Sequence, residues 1–155
     1  MALLKERDRA ALREEFAKLE GKVRIVFFTQ ALGCETCEIA QQILEEVAGL
    51  SNRIELQKFN YAIDREPVAQ YGITRIPAFA LVRLEETQDG DGQPVTRERD
   101  YGIRFYGVPS GYEFMSLIGG ILDVSKGESG LSEQSKAALA RVAEPVHLQV
   151  FTTPT

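Results

Sequence analysis

Cys34 and Cys37 are the residues best suited to chemistry, and they are the only cysteines in the sequence. They stand as Cys34-Glu35-Thr36-Cys37. On a helix, residues i and i+3 are neighbours, so the two sulfurs can meet. The same spacing also serves half of a zinc site, but a closed site takes four ligands. There is no second C-x-x-C and His147 is the only histidine, so one chain falls short of that set. The expected chemistry is therefore thiol–disulfide exchange, with no metal and no bound cofactor. The attacking species is a thiolate. Placed at a helix start, Cys34 would meet free N–H groups and the positive dipole end, which favour its anion. Cys34 is expected to attack and Cys37 to resolve the mixed disulfide. Glu35 and Glu38 oppose the anion, and their expected effect is on the order of a unit or less.

Positioning such a pair requires a rigid strand before it and an amphipathic helix after it, and the sequence offers both. Residues 23–29 read as a strand whose Ile25-Val26-Phe27-Phe28 core is apolar on both faces, as in the middle of a covered sheet. The loop 30–33 leads to the cysteines, and Ala40, Ile43, Leu44 and Val47 then recur at helical spacing. Before this unit, residues 5–20 predict a helix through Leu12, Phe16 and Leu19, closed by Gly21. After it come a strand over 53–60, a helix over 65–71, strands over 78–84 and 103–108 around a polar tip at 87–94, and a helix over 112–124. That last helix shows Phe114, Leu117, Ile118, Ile121 and Leu122 on one face. The order predicts an α/β fold: a central mixed sheet with one parallel crossover and one antiparallel hairpin, helices on both faces, and an extra N-terminal helix. Residues 125–130 read as a linker. A helix over 132–143 follows, with Ser132 as N-cap and Leu131, Ala138, Leu139 and Val142 on its apolar side. Residues 146–151 read as a final strand.

Composition narrows the function. The net charge is −5 and no cluster of Lys and Arg offers a phosphate-binding patch, so a nucleic-acid partner is not expected. No apolar run approaches the ~20 residues that span a bilayer. Residues 1–9 are charged from the start, unlike a secretion signal, so a cytoplasmic location away from membranes is expected. Asp89-Gly90-Asp91-Gly92 hints at a calcium loop, but Pro94 stands where an EF-hand needs Gly and Asp100 where it needs Glu; a hairpin turn is expected. Tyr61, Tyr71 and Tyr106 are expected to supply packing rather than catalysis. His147 has no cysteine near it in sequence and reads as structural.

The strand, the C-x-x-C, the helix and Ile76-Pro77 together resemble the thioredoxin superfamily. The stretch 64–78, DREPVAQYGITRIPA, is similar to the segment leading to that superfamily's cis-proline. The resemblance implies a thioredoxin-like fold, a cis Ile76–Pro77 bond facing the cysteines, and a substrate segment paired to the backbone at Ile76 and Pro77. A closer resemblance, over nearly the whole chain, is to the glutaredoxin-like protein disulfide oxidoreductases, which hold two thioredoxin units in tandem. It is most specific at 103–114, IRFYGVPSGYEF, and at 150–155, VFTTPT. It implies that residues 1–125 form a thioredoxin-like unit with an N-terminal helix. Residues 126–155 would then be the linker, helix and first strand of a second unit that is absent here. Glu35-Thr36 departs from the Pro-Tyr common in glutaredoxins. The implied activity is dithiol–disulfide oxidoreduction on protein or small-molecule disulfides, recharged by a thioredoxin-reductase-like electron donor. Two other readings stay open: an electron relay to a peroxidase, and a docking module with little activity of its own. The uncovered apolar residues of 126–155 predict a homodimer through that segment.

Overall fold

The structure, a computed structural model, describes residues 3–152. Its centre is the strand expected before the cysteines. β1 (Lys22–Thr29) pairs in parallel with β2 (Ile54–Asn60) and antiparallel with β3 (Ala78–Gln88), and β3 pairs antiparallel with β4 (Pro94–Tyr106). The strand order is β2-β1-β3-β4. Side chains alternate across a strand, so β1 and β3 serve two cores. Val23, Ile25, Phe27, Phe79 and Leu81 point to one face, where they meet α1 (Glu6–Phe16), α2 (Cys37–Ala48) and α4 (Tyr112–Lys126). Val26, Phe28, Ala78, Ala80 and Val82 point to the other, under α3 (Arg65–Gln70) and the Tyr71–Ile73 turn. Both faces of the sheet are thereby covered, which is why β1 carries an unbroken apolar run. Each buried Val, Leu, Ile or Phe side chain among them contributes ~1.5–3 kcal/mol relative to exposure.

Several boundaries move, each for a local reason. α1 ends at Phe16, capped at Ala17, and residues 17–21 form a turn that still buries Leu19. Gly21 therefore does not end the helix. It sits where a Cβ would lie 3.0 Å from the Ser125 carbonyl oxygen, a close approach that suits glycine. The β3–β4 hairpin is longer than its apolar pattern, because residues beyond Leu84 pair through charges: Glu85 lies opposite Arg97, and Arg99 reaches Glu85 at 3.5 Å. At its tip Asp89 Oδ1 accepts from the amides of Asp91 (3.0 Å) and Gln93 (2.8 Å), the hairpin turn expected.

The residues read as a linker begin too early. Among the described residues Ser125 is the only buried polar one, at 1% exposure, and it lies within α4. Its hydroxyl accepts from the amides of Glu20 (2.9 Å) and Gly21 (3.0 Å) and donates to the Gly21 carbonyl (2.7 Å). α4 ends instead at Gly127, whose φ of 75° is the left-handed cap that glycine adopts freely. α5 (Glu133–Leu139) is short; Ser132 caps it as expected, accepting from the Ser135 amide at 3.1 Å. Residues 146–151 form no strand. Among the described residues no other strand lies beside them to supply the pairing a strand needs, and Val146, Leu148, Val150 and Phe151 stand 67–88% exposed. The last three residues of the 150–155 motif lie outside the described residues.

Candidate active site

The parallel crossover dictates where the cysteines go. β1 ends at Thr29, and residues 30–36 carry the chain over the end of the sheet into α2. Gly33, at φ 74°, makes the turn just before Cys34. The structure corrects the expected helix start. Thr36 is the N-cap and Cys37 the first helical residue, so Cys34 sits two residues ahead of the cap rather than on the helix. Cys34 and Cys37 are joined as a disulfide, with Cα atoms 5.5 Å apart. Cys37 is 2% exposed and Cys34 only half-buried. The order expected from sequence, an accessible first sulfur and a shielded second, is the one observed. The Thr36 side chain makes no capping hydrogen bond to α2.

An open cleft of about 750 Å³ lies against the disulfide. Cys34, Cys37, Glu35 and Glu38 line it from α2 and its approach, and Lys58 and Asp64 from β2 and the loop after it. Lys58 bonds Glu45 at 2.9 Å and, with Gln41 also at 2.9 Å, holds that carboxyl below the usual range for Glu. Glu35 and Glu38 are both exposed.

Ile76 and Pro77 lie at the same end of the sheet. Ala78, the next residue, pairs with Phe28, one residue short of the end of β1. The Ile76–Pro77 bond is cis; Pro77 is buried and Ile76 half-buried. This loop is tied down along its length. Arg104 Nε donates to the Tyr71 carbonyl (2.8 Å), Tyr61 donates to the Thr74 carbonyl (3.0 Å), and the Gly107 amide donates to the Pro77 carbonyl (2.8 Å). Tyr61, Tyr71 and Tyr106 all pack on the second core, as expected.

Neither a family model nor a curated protein matches the chain. Solved structures do. A protein disulfide oxidoreductase from Aeropyrum pernix K1 aligns with TM-score 0.71 and 25% identity, over 89% of this chain and 55% of its own. The N-terminal N/C domain of alkylhydroperoxide reductase AhpF from Enterococcus faecalis aligns with TM-score 0.71 and 29% identity, over 88% of this chain and 60% of its own. The chain has a thioredoxin fold and is similar to these protein disulfide oxidoreductase and AhpF N-terminal domains. It spans less than two thirds of the length of either neighbour. In this thioredoxin fold the Cys34–Cys37 pair and the Ile76–Pro77 loop lie at the same end of the sheet, and the bond is cis, as the resemblance implied. Sequence reasoning missed Lys58 and Asp64 as cleft residues. Their signal was position: Lys58 is near the end of β2, opposite Phe27 of β1, and Asp64 follows the Asn60 turn. Among the described residues no helix is long and apolar enough to cross a membrane.

Proposed function

We propose that the chain is a dithiol–disulfide oxidoreductase acting on protein or small-molecule disulfides. The observation that carries this reading is the Cys34–Cys37 disulfide, with one sulfur accessible at an open cleft and the other buried behind it. From the reduced state, the Cys34 thiolate attacks a sulfur of the substrate disulfide. The substrate S–S bond breaks, a mixed disulfide forms, and the departing thiolate takes up a proton. Cys37 loses its proton and attacks Cys34 Sγ, releasing the second substrate thiol. Two electrons have passed to the substrate and the protein is left as the disulfide. The backbone at Ile76 and Pro77 receives the substrate's extended segment by strand-like pairing. Glu35 and Glu38 hold the thiolate back, keeping the pair a reductant. A thioredoxin-reductase-like donor recharges it, and the work is done in the cytoplasm. The segment after the Gly127 cap of α4 is the one through which two copies pair.

The test is reduction of insulin with dithiothreitol as the electron source. Turnover is expected in the parent and abolished in Cys34→Ser; equal, background-level rates in both would leave the reading without support. A second reading, an electron relay to a peroxidase, is favoured by the match to a domain of alkylhydroperoxide reductase. Transfer to a peroxiredoxin much faster than to insulin would select it.

A further inference from the structure

Charge at the disulfide end of the sheet is sorted by strand. On the β2–β1 side, Glu35, Glu38 and Asp64 line the cleft, and among the described residues none of them has a cationic partner. The one cation there, Lys58, is taken up by Glu45 at 2.9 Å. On the β3–β4 side the sign reverses. Arg75 stands one residue before Ile76, exposed, with its guanidinium carbon 4.8 Å from the centre of the Tyr106 ring. Tyr106 faces Ala78 across the β3–β4 pair, and Phe28 faces the same Ala78 from β1, so the ring and the cysteine approach flank β3 from opposite sides.

Arg75 differs from the other stacked arginines. Arg104 lies over Tyr71 and Arg99 over Tyr101, but Arg104 also pairs with Asp100, and Arg99 with Glu85. Arg75 has the ring and, among the described residues, no carboxylate. An aromatic face holds a guanidinium in place without neutralising it, and leaves its planar fork of donors open to an anion. The backbone beneath is fixed as well, by the bonds to the Tyr71, Thr74 and Pro77 carbonyls. Little ordering remains to be done when a carboxylate arrives.

We propose that Arg75 determines substrate specificity. It selects disulfides set in an extended segment with a carboxylate on the flank that crosses β3 and β4, and a neutral or basic residue on the flank that crosses α2. Strands lie ~4.8 Å apart, so the charge is met about three residues of extended chain from the attacked sulfur. The proposal rests on the oxidoreductase reading.

Two peptides of one composition test it. Each has a central cysteine in disulfide linkage with a neutral small thiol. One has Glu residues before the cysteine and Lys residues after it; the other has the reverse order. Net charge is identical, so overall attraction cancels. Reduction consumes the Cys34–Cys37 dithiol and yields the peptide thiol and the small thiol; dithiothreitol restores the dithiol. The parent is expected to favour one order in kcat/KM by about two- to fivefold, the size of a single exposed charge pair. Arg75→Gln should bring the ratio toward one, Arg75→Glu should invert it, and added salt should shrink it in the parent. Equal rates for the two orders in an active parent, or a ratio that survives Arg75→Gln, would overturn the assignment. A parent that reduces neither peptide would overturn the oxidoreductase reading, and this proposal with it.

Discussion

Cys34 and Cys37 differ in how much water reaches them, and that difference is testable. With Cys37 2% exposed and Cys34 half-buried, a reduced sample treated briefly with iodoacetamide at neutral pH should carry its adduct on Cys34. Preferential modification of Cys37 would reverse the assigned roles. The carboxylates give a second outcome. Removing the charge of Glu35 or Glu38 favours the thiolate, lowers its pKa and stabilises the reduced form. Glu35→Gln should therefore move the reduction potential upward, by up to roughly 30 mV for each unit of pKa. The parent should lie at roughly −220 to −280 mV, between glutaredoxins and thioredoxin. Equilibration with glutathione buffers reads both values, and a parent near −120 mV would contradict the tuning role. The redox pair was legible because its spacing is local. Lys58 and Arg75 were not, because what distinguishes them is a partner, Glu45 or the Tyr106 ring, that only the folded chain supplies.

Between elements, one polar cluster fastens the β3–β4 hairpin to the sheet and to the loop before Pro77. The Tyr71 hydroxyl donates to Glu98, Glu98 also accepts from Arg24, and Arg24 reaches Glu55 of β2 at 3.0 Å. Burial, then the Glu98 carboxylate, pushes the Tyr71 phenol well above its usual range. Tyr71→Phe should cost ~1.5–3 kcal/mol in urea unfolding, the loss of one hydrogen bond to a charged group. The sign with pH follows from the raised pKa. The contribution is complete below the unfolded tyrosine value of ~10 and is lost as pH rises from there toward the folded value. Between about pH 9 and 11 the parent should therefore lose stability more steeply than Tyr71→Phe; parallel slopes would exclude the coupling. None of this cluster shows in hydrophobic periodicity. That signal finds apolar strands, and so it recovered the start of β3 and the end of β4 while passing over the charged arm between them.

At the scale of the whole molecule, the parallel pair, the antiparallel hairpin and the helices on both faces could be read from the alternation of elements, because a parallel pair must be joined by a crossover helix and both faces must then be covered; that β3 pairs with β1 came only from the structure. The segment after α4 could not. Its apolar pattern is real, but pattern alone cannot say whether a pairing partner is present. Leu139, Val142, Leu148 and Phe151 remain exposed, and burying such surface is favourable by ~25 cal/mol per Å². Light scattering at micromolar concentration should report a dimer for the full chain and a monomer for a version ending at Gly130, which keeps the Gly127 cap and Ser125. Two monomers would remove the proposed pairing. Ser125 has a further consequence, a mechanical one. Its hydroxyl bridges the point where the chain enters β1 and the point where it leaves α4, so the polypeptide from 21 to 125 is a closed circuit. β1 is 8 residues long, which puts about 25 Å of strand between that clasp and the loop to Cys34. Tension arriving along α1 or along the segment beyond Gly127 finds its shortest path through one serine, at the end of the sheet away from the disulfide.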